Sequence, residues 1–213
     1  MKYKMVIFDL DGTLCDTLED LKDACNYALN YCNLPEISLD DTRAFIGNGI
    51  KNLLLRASNA KGSIDILLKK FKEYYYENYM VHTKSYTQIE DVLYALKREG
   101  VLLGVLTNKV EDIAKNIIDH LFPNIMSFVY GEVEGRKKKP DPAFLLETIK
   151  QYHLKKEEVL YIGDSEVDIY TVINSGVDGV FVSYGFRKKE DLLQLTNQVV
   201  DSPLELLQYI GVL

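Results

Sequence analysis

The sequence predicts an α/β protein, a parallel sheet flanked by helices, with a small all-helical domain inserted after the first strand. Three observations carry this. Four consecutive apolar residues, Met5-Val6-Ile7-Phe8, run into Asp9 and a turn at Gly12, the pattern of a strand buried on both faces. Residues 16–84 show only the 3-and-4 apolar spacing of helices. Beyond residue 84, short apolar runs alternate with amphipathic stretches, as strand–helix–strand crossovers require. The switch divides the chain into a core of residues 1–15 and 85–213 and an inserted helical domain of residues 16–84.

Composition narrows the function classes. With 213 residues, 47% hydrophobic and 27% charged, the chain has enough apolar surface for one large domain or two small ones. No apolar run approaches the roughly 20 residues of a membrane span and the start has no signal-peptide core, so a cytoplasmic protein without a membrane partner is expected. Cys15, Cys25 and Cys32 form no C-x-x-C pair, and an odd count suits a reducing compartment and argues against zinc. A net charge of -7 excludes a general nucleic-acid partner, because phosphate-backbone binding needs a basic face.

In order along the chain, the strand Met5–Phe8 delivers Asp9 at its carboxyl end. If the chain stays extended, Asp11 projects to the same side. Leu18, Leu21, Cys25, Ala28, Leu29 and Cys32 then mark a long helix that stops near Leu34-Pro35, and Ser38-x-x-Asp41 signals the cap of a short one reaching about Ile46. Gly47-Asn48-Gly49 breaks it. Two more helices carry Ile50, Leu53, Leu54 and Ala57, and Leu67, Leu68, Phe71 and Tyr75; Tyr74, Tyr75, Tyr76 and Tyr79 read as packing and surface aromatics, since no basic groove surrounds them.

A helix over about Glu90–Glu99 stops at Gly100, and Val101–Leu106 is a second buried strand ending in Thr107-Asn108-Lys109. Val110, Ile113, Ala114, Ile117, Ile118 and Leu121 form its crossover helix. Ser127–Tyr130 is a third strand, followed by the basic loop Gly135–Lys139, Pro140 and a helix with Phe144, Leu145, Ile149 and Tyr152. Val159–Ile162 is a fourth strand, ending in Gly163-Asp164-Ser165-Glu166-Val167-Asp168; Val180–Val182 is a fifth, and Val199-Val200 with Pro203–Tyr209 closes the chain.

Each polar strand end alone reads as readily as a solvated turn, and Lys139 alone as one charge of a solvated basic run. Together they form a pattern, because the carboxyl ends of parallel strands converge on one edge. Asp9, Asp11, Asp164 and Asp168 facing a phosphate would repel by about 4 kcal/mol per close pair at an effective dielectric of 20. A cation is therefore required, and clustered carboxylates favour a hard octahedral ion such as Mg²⁺. Asp9 can attack phosphorus as a carboxylate nucleophile, Asp11 can protonate the leaving oxygen and later deprotonate water, Thr107 and backbone N–H groups after the glycine can bind the phosphoryl oxygens, and Lys139 can neutralise developing charge.

Asp9-Leu10-Asp11-Gly12-Thr13-Leu14, Leu106-Thr107-Asn108-Lys109, Lys139-Pro140-Asp141-Pro142 and Gly163-Asp164-Ser165-x-x-Asp168 together resemble the four motifs of the haloacid dehalogenase-like phosphohydrolase superfamily, in order and across nearly the whole chain. The resemblance implies a Rossmann-like, doubly wound core with a helical cap. It implies Asp9 as nucleophile, Asp11 as acid and base, Thr107 and Lys139 as phosphoryl ligands, and Mg²⁺ held by Asp9, the Asp11 carbonyl and Asp164 with Asp168 in support. Thr107-Asn108-Lys109, the stretch Phe45–Gly49 with Arg56, and Ser183-Tyr184-Gly185-Phe186 look most like the phosphoglycolate phosphatase group. Substrate contacts are then expected from Thr13, Asn108, Gly47, Asn48, Gly49 and Arg56, with Lys51 a second cation for a substrate carboxylate. One departure is Tyr86-Thr87-Gln88-Ile89, where relatives commonly carry a Tyr-Pro-Gly-type turn.

The expected function is Mg²⁺-dependent hydrolysis of a small phosphorylated metabolite, 2-phosphoglycolate first, through an aspartyl-phosphate, by a monomer or weak homodimer. A sugar phosphomutase, a pyrophosphatase and a nucleotidase share the same core. A dehalogenase would not need Asp11, since a halide leaves without a proton. A receiver-type phospho-accepting module of about 120 residues would have no use for Asp11 or the helical insertion.

Overall fold

The computed structural model describes residues 1–47 and 49–212. Its elements, in chain order, are β1 (Met5–Phe8), β2 (Cys15–Asp16), α1 (Leu18–Tyr31), α2 (Leu39–Phe45), α3 (Ile50–Ala57), α4 (Ile64–Asn78), β3 (Lys84–Ser85), α5 (Ile89–Arg98), β4 (Leu102–Val110), α6 (Glu111–Leu121), β5 (Phe128–Glu132), α7 (Ala143–Gln151), β6 (Val159–Gly163), α8 (Glu166–Ser175), β7 (Asp178–Val182), α9 (Lys189–Leu193), β8 (Val199–Val200) and α10 (Pro203–Ile210). They fall into two compact units, Met1–Cys15 with Ser85–Leu213, and Asp16–Lys84. Among the described residues, no helix is long and apolar enough to cross a membrane.

The first unit is a Rossmann-like α/β core. Its six strands lie in the order β5-β4-β1-β6-β7-β8, and every neighbouring pair is parallel. The central strands β1 and β6 are buried along their whole length, which is why they read as unbroken apolar runs. Residues two apart share a face: Met5 and Ile7 of β1 and Val159 and Tyr161 of β6 pack with Leu106 and Phe128 against Leu145 and Ile149 of α7.

β4 differs from the expected strand Val101–Leu106. It runs on to Val110, and Leu106 lies opposite Tyr130 while Val110 lies opposite Glu132. Three β4 residues, Thr107, Asn108 and Lys109, thus face the single Gly131. Such a bulge keeps the ladder while re-aiming side chains, and periodicity in the sequence carries no trace of it.

The extended run of β1 ends at Phe8 rather than continuing through Asp11. From Leu10 the backbone turns, its carbonyl accepting from the N–H groups of Thr13, Leu14 and Cys15. Period-two alternation therefore does not orient Asp11.

Among the described residues the second unit holds four helices, with α1 packed on α4. Ser38 and Asp41 form the capping box that opens α2: Asp41 N–H donates to Ser38 Oγ at 3.1 Å, and Ser38 N–H donates to Asp41 Oδ2 at 3.0 Å. Buried Asp20 of α1 accepts from Thr83 Oγ1 (2.7 Å) and from the N–H groups of His82 and Thr83 (both 2.9 Å), tying α1 to the segment after α4. Phe71 and Tyr75 are buried in the unit, and Tyr27 stacks on Tyr74 with centroids 4.9 Å apart.

Candidate active site

β1, β4 and β6 present their carboxyl ends side by side, and the site is built on them. Asp9 follows β1, and its N–H extends the ladder to Ile162 O at 2.8 Å. Asp164 follows β6, and Asp168 lies in the first turn of α8. Carboxylate oxygens of Asp9, Asp164 and Asp168 lie within 4.8 Å of one another, all in buried residues.

Lys139 joins these groups from the loop before α7. Its Nζ lies 2.6 Å from Asp168 Oδ1, 2.9 Å from Asp9 Oδ1 and 2.9 Å from Tyr161 Oη, with the side chain 4% exposed. Asn108 clamps the Lys139 backbone with two bonds: its Nδ2 donates to Lys139 O at 3.0 Å and its Oδ1 accepts from Lys139 N–H at 2.9 Å.

Asp168 is saturated by donors. Oδ1 accepts from Lys139 and from Tyr161 Oη (3.0 Å), and Oδ2 from Ser165 Oγ (2.7 Å) and the N–H groups of Ser165 and Asp164. Burial opposes its charge, but Lys139, Ser165 and Tyr161 outweigh that and hold its carboxyl below the usual range. Asp164 has fewer partners: Phe186 N–H donates to Oδ2 at 2.7 Å and Thr13 Oγ1 to Oδ1 at 3.5 Å. Burial, reinforced by the charges of Asp168 and Asp9, drives its carboxyl well above the ordinary value. Burial likewise pushes Asp9 up to about 6 against the pull of Lys139. Lys139 itself rises to about 12, burial being outweighed by Asp168 and Asp9.

Two glycines make this cradle possible. A Cβ on Gly12, whose φ is +84°, would fall 2.2 Å from Asp164 Oδ2, and one on Gly185 would fall 2.2 Å from Gly12 O and 2.5 Å from Asp164 Cβ. Only residues without a side chain let these loops close over Asp164.

A family model for haloacid dehalogenase-like hydrolases matches residues 6–182. The chain belongs to that family. A phosphoglycolate phosphatase of Aquifex aeolicus is 31% identical over 94% of this chain and 92% of its own length. One from Mesorhizobium japonicum is 32% identical over 89% and 86%. The crystal structure of a proposed phosphoglycolate phosphatase from Lactobacillus delbrueckii subsp. bulgaricus superposes with a TM-score of 0.93 at 31% identity, covering 99% of both chains. Family and relatives together make this chain a phosphomonoester hydrolase in class.

In this haloacid dehalogenase-like hydrolase the residues fit a divalent metal. If ionised together, Asp9, Asp164 and Asp168 would set three negative charges against the one ammonium of Lys139, and the raised values of Asp9 and Asp164 are the mark of a buried group that lacks a further cation. Asp9 Oδ1 is fully buried, and although Lys139 Nζ is near, no donor is aligned on it for a hydrogen bond among the described residues. A hard oxygen-binding dication supplies what is missing.

The other candidates have partners that residue type alone does not reveal. Asn108, at the β4 bulge, is bonded through its amide to the Lys139 backbone. Thr13 is fully buried with its hydroxyl toward Asp164 Oδ1 at 3.5 Å. Thr107 is buried at the bulge, its Oγ1 accepting from Lys109 N–H at 3.3 Å. Asp11 pairs with Lys109, Nζ to Oδ1 at 2.8 Å. Gly47, Gly49, Lys51 and Arg56 belong to the unit Asp16–Lys84; Arg56 is exposed and its Nη1 donates to Ala44 O at 3.3 Å. Asn48 lies outside the described residues.

Sequence reasoning assigned no role to Lys109, Tyr161 or Phe186. Lys109 had one signal, its position two residues after Thr107 at a strand end. Tyr161 had another: a hydroxyl inside an otherwise apolar buried strand needs a partner. The Phe186 N–H had none, since a backbone donor is invisible in side-chain identity.

Proposed function

We propose that this chain is a Mg²⁺-dependent phosphomonoesterase acting on a small phosphorylated carboxylate, 2-phosphoglycolate first, with the unit Asp16–Lys84 as a substrate-reading cap. The observation that carries it is the buried group of Asp9, Asp164 and Asp168 beside Lys139, which with all three carboxyls ionised would be two positive charges short of neutrality. The names of the Aquifex and Mesorhizobium relatives support the substrate.

Asp9, Asp164 and the Asp11 carbonyl would hold the ion, with Asp168 fixing Lys139 and the loop of Asp164. When bound, the ion neutralises phosphoryl oxygens and lets Asp9 stay ionised beside a phosphate. An Asp9 carboxylate oxygen attacks phosphorus while the bond to the ester oxygen breaks, and Asp11 gives that oxygen its proton, releasing the alcohol and leaving an aspartyl-phosphate. Asp11, now a carboxylate, takes a proton from water, which attacks phosphorus and frees Asp9 and inorganic phosphate. Lys139 and Thr107 donate to the phosphoryl oxygens as charge builds on them. Gly47, Asn48 and Gly49 are assigned to substrate reading, and Arg56 and Lys51 to supplying cations for the substrate carboxylate.

Purified protein assayed with Mg²⁺ against 2-phosphoglycolate, hexose phosphates, nucleotides and pyrophosphate tests this. The expected result is phosphate release with the highest kcat/KM on 2-phosphoglycolate, lost with EDTA and restored by Mg²⁺. Asp9→Asn should abolish turnover while the protein stays folded. Conversion of a hexose 1-phosphate to its 6-phosphate without phosphate release would replace hydrolysis by mutase chemistry.

A further inference from the structure

Lys109 reaches the site from the bulged end of β4, and its ammonium lies 2.8 Å from Asp11 Oδ1. The Lys109 side chain is 3% exposed and that of Asp11 21%. Such a pair contributes little to stability, because desolvating an ammonium offsets most of what the carboxylate returns. An apolar side chain would fill the slot at lower cost, so the lysine calls for another explanation.

The two ends of the pair differ in enclosure. The Lys109 side chain is surrounded almost completely, which leaves its ammonium little room, whereas the Asp11 carboxylate keeps partial access to solvent in the turn Leu10–Cys15. An enclosed ammonium at 2.8 Å favours one of the staggered rotamers open to that carboxylate.

We infer that Lys109 is a positioning residue for proton delivery: it holds the Asp11 carboxyl toward the ester oxygen and faces the negative charge left on Asp11 once the proton has gone. The inference rests on the role proposed for Asp11. The balance is simple: the P–O bond to the alcohol breaks, the Asp11 proton moves to that oxygen, and the new carboxylate lies against an ammonium already in place. In this role Lys109 acts on the reaction through Asp11, its ion-pair partner.

A leaving group that needs no proton separates this role from a structural one. The ratio kcat/KM ends at the first irreversible step and so isolates aspartyl-phosphate formation. Lys109→Met should lose about 100-fold in kcat/KM on 2-phosphoglycolate, whose alkoxide must be protonated, but less than about fivefold on p-nitrophenyl phosphate, whose phenolate departs unaided. In Asp11→Asn the same bias should appear, and adding Lys109→Met to it should cost nothing further. Equal losses on both esters, or multiplicative losses in the double variant, would overturn the inference while leaving the hydrolase reading intact. If the unaltered protein cleaves neither ester with Mg²⁺, the hydrolase reading itself fails. Circular dichroism checks folding; should Lys109→Met not fold, Lys109→Gln carries the comparison, and failure of both to fold would make Lys109 structural and end the proposal.

Discussion

The ammonium of Lys139 lies 2.6 Å from Asp168 Oδ1, and neither side chain is more than 4% exposed. All three protons of that ammonium have an acceptor nearby, in Asp168, Asp9 and Tyr161. The lysine before Pro140 is thus part of the core as much as of the site.

Removing it should harm both. Lys139→Met leaves Asp9 and Asp168 charged without compensation, and breaking a buried pair from one side costs about 3–5 kcal/mol. Urea unfolding should show that loss, and kcat should fall by at least about 100-fold, as when one donor to developing charge is deleted. An unchanged unfolding midpoint would mean that the pair holds nothing together.

Gly185→Ala should weaken metal binding. The added methyl would overlap Gly12 O and Asp164 Cβ, and neither atom can swing aside as the tip of a flexible side chain can. Displacing Asp164 should lower Mg²⁺ affinity about 10–100-fold, the range for disturbing a ligand's support. Calorimetric titration with Mg²⁺ measures it, and activity should recover partly at high Mg²⁺.

Glu111 opens α6 and is held by Lys115, Arg136 and Gly131 N–H. Burial raises its pKa, but these donors outweigh burial and bring it from 4.5 to about 2. A carboxyl with a depressed folded value contributes stability that is fully present above the unfolded value and is lost as pH falls through the folded one. Glu111→Gln should therefore be less stable than the unaltered chain at pH 7, and the gap should close between about pH 4.5 and pH 2. Urea midpoints across that interval check the sign.

Gln88 precedes α5 with φ 69° and ψ 0°, in a turn closed by Ile89 N–H donating to Tyr86 O at 3.2 Å. Thr87 has no positive φ, so this is a type II turn with Gln88 in the position that favours glycine. The left-handed backbone costs a side chain roughly 1–2 kcal/mol, and glycine returns about 0.5–1 kcal/mol of that as lost chain entropy. Gln88→Gly should therefore stabilise by about 0.5 kcal/mol, raising Tm by about 1–2 °C in a chain of this size. A lower Tm would show that Gln88 makes a compensating contact.

The strands and their order of appearance were legible because burial on both faces leaves an unbroken apolar run: Met5–Phe8 and Val159–Gly163 are buried at every position. The helix starts were legible where a local cap marks them, as Ser38 and Asp41 do. These are short-range properties, written in neighbouring residues. The carboxylates and the lysine were visible too, since their types are rare at the ends of apolar runs.

What remained for the tertiary structure is which groups those side chains meet. That Asn108 meets the Lys139 backbone depends on a bulge created by pairing with β5, a partner about 20 residues on. Lys109 meets Asp11 across 98 residues of sequence, and Asp164 is held by the N–H of Phe186, a donor every residue but proline carries. The sequence by itself determined most helices and strands, the family and the residue types at the strand ends, because local patterning and residue type suffice for those. Only the fold decided the partners, because charge pairing and hydrogen bonding depend on distances in space that spacing along the chain does not encode.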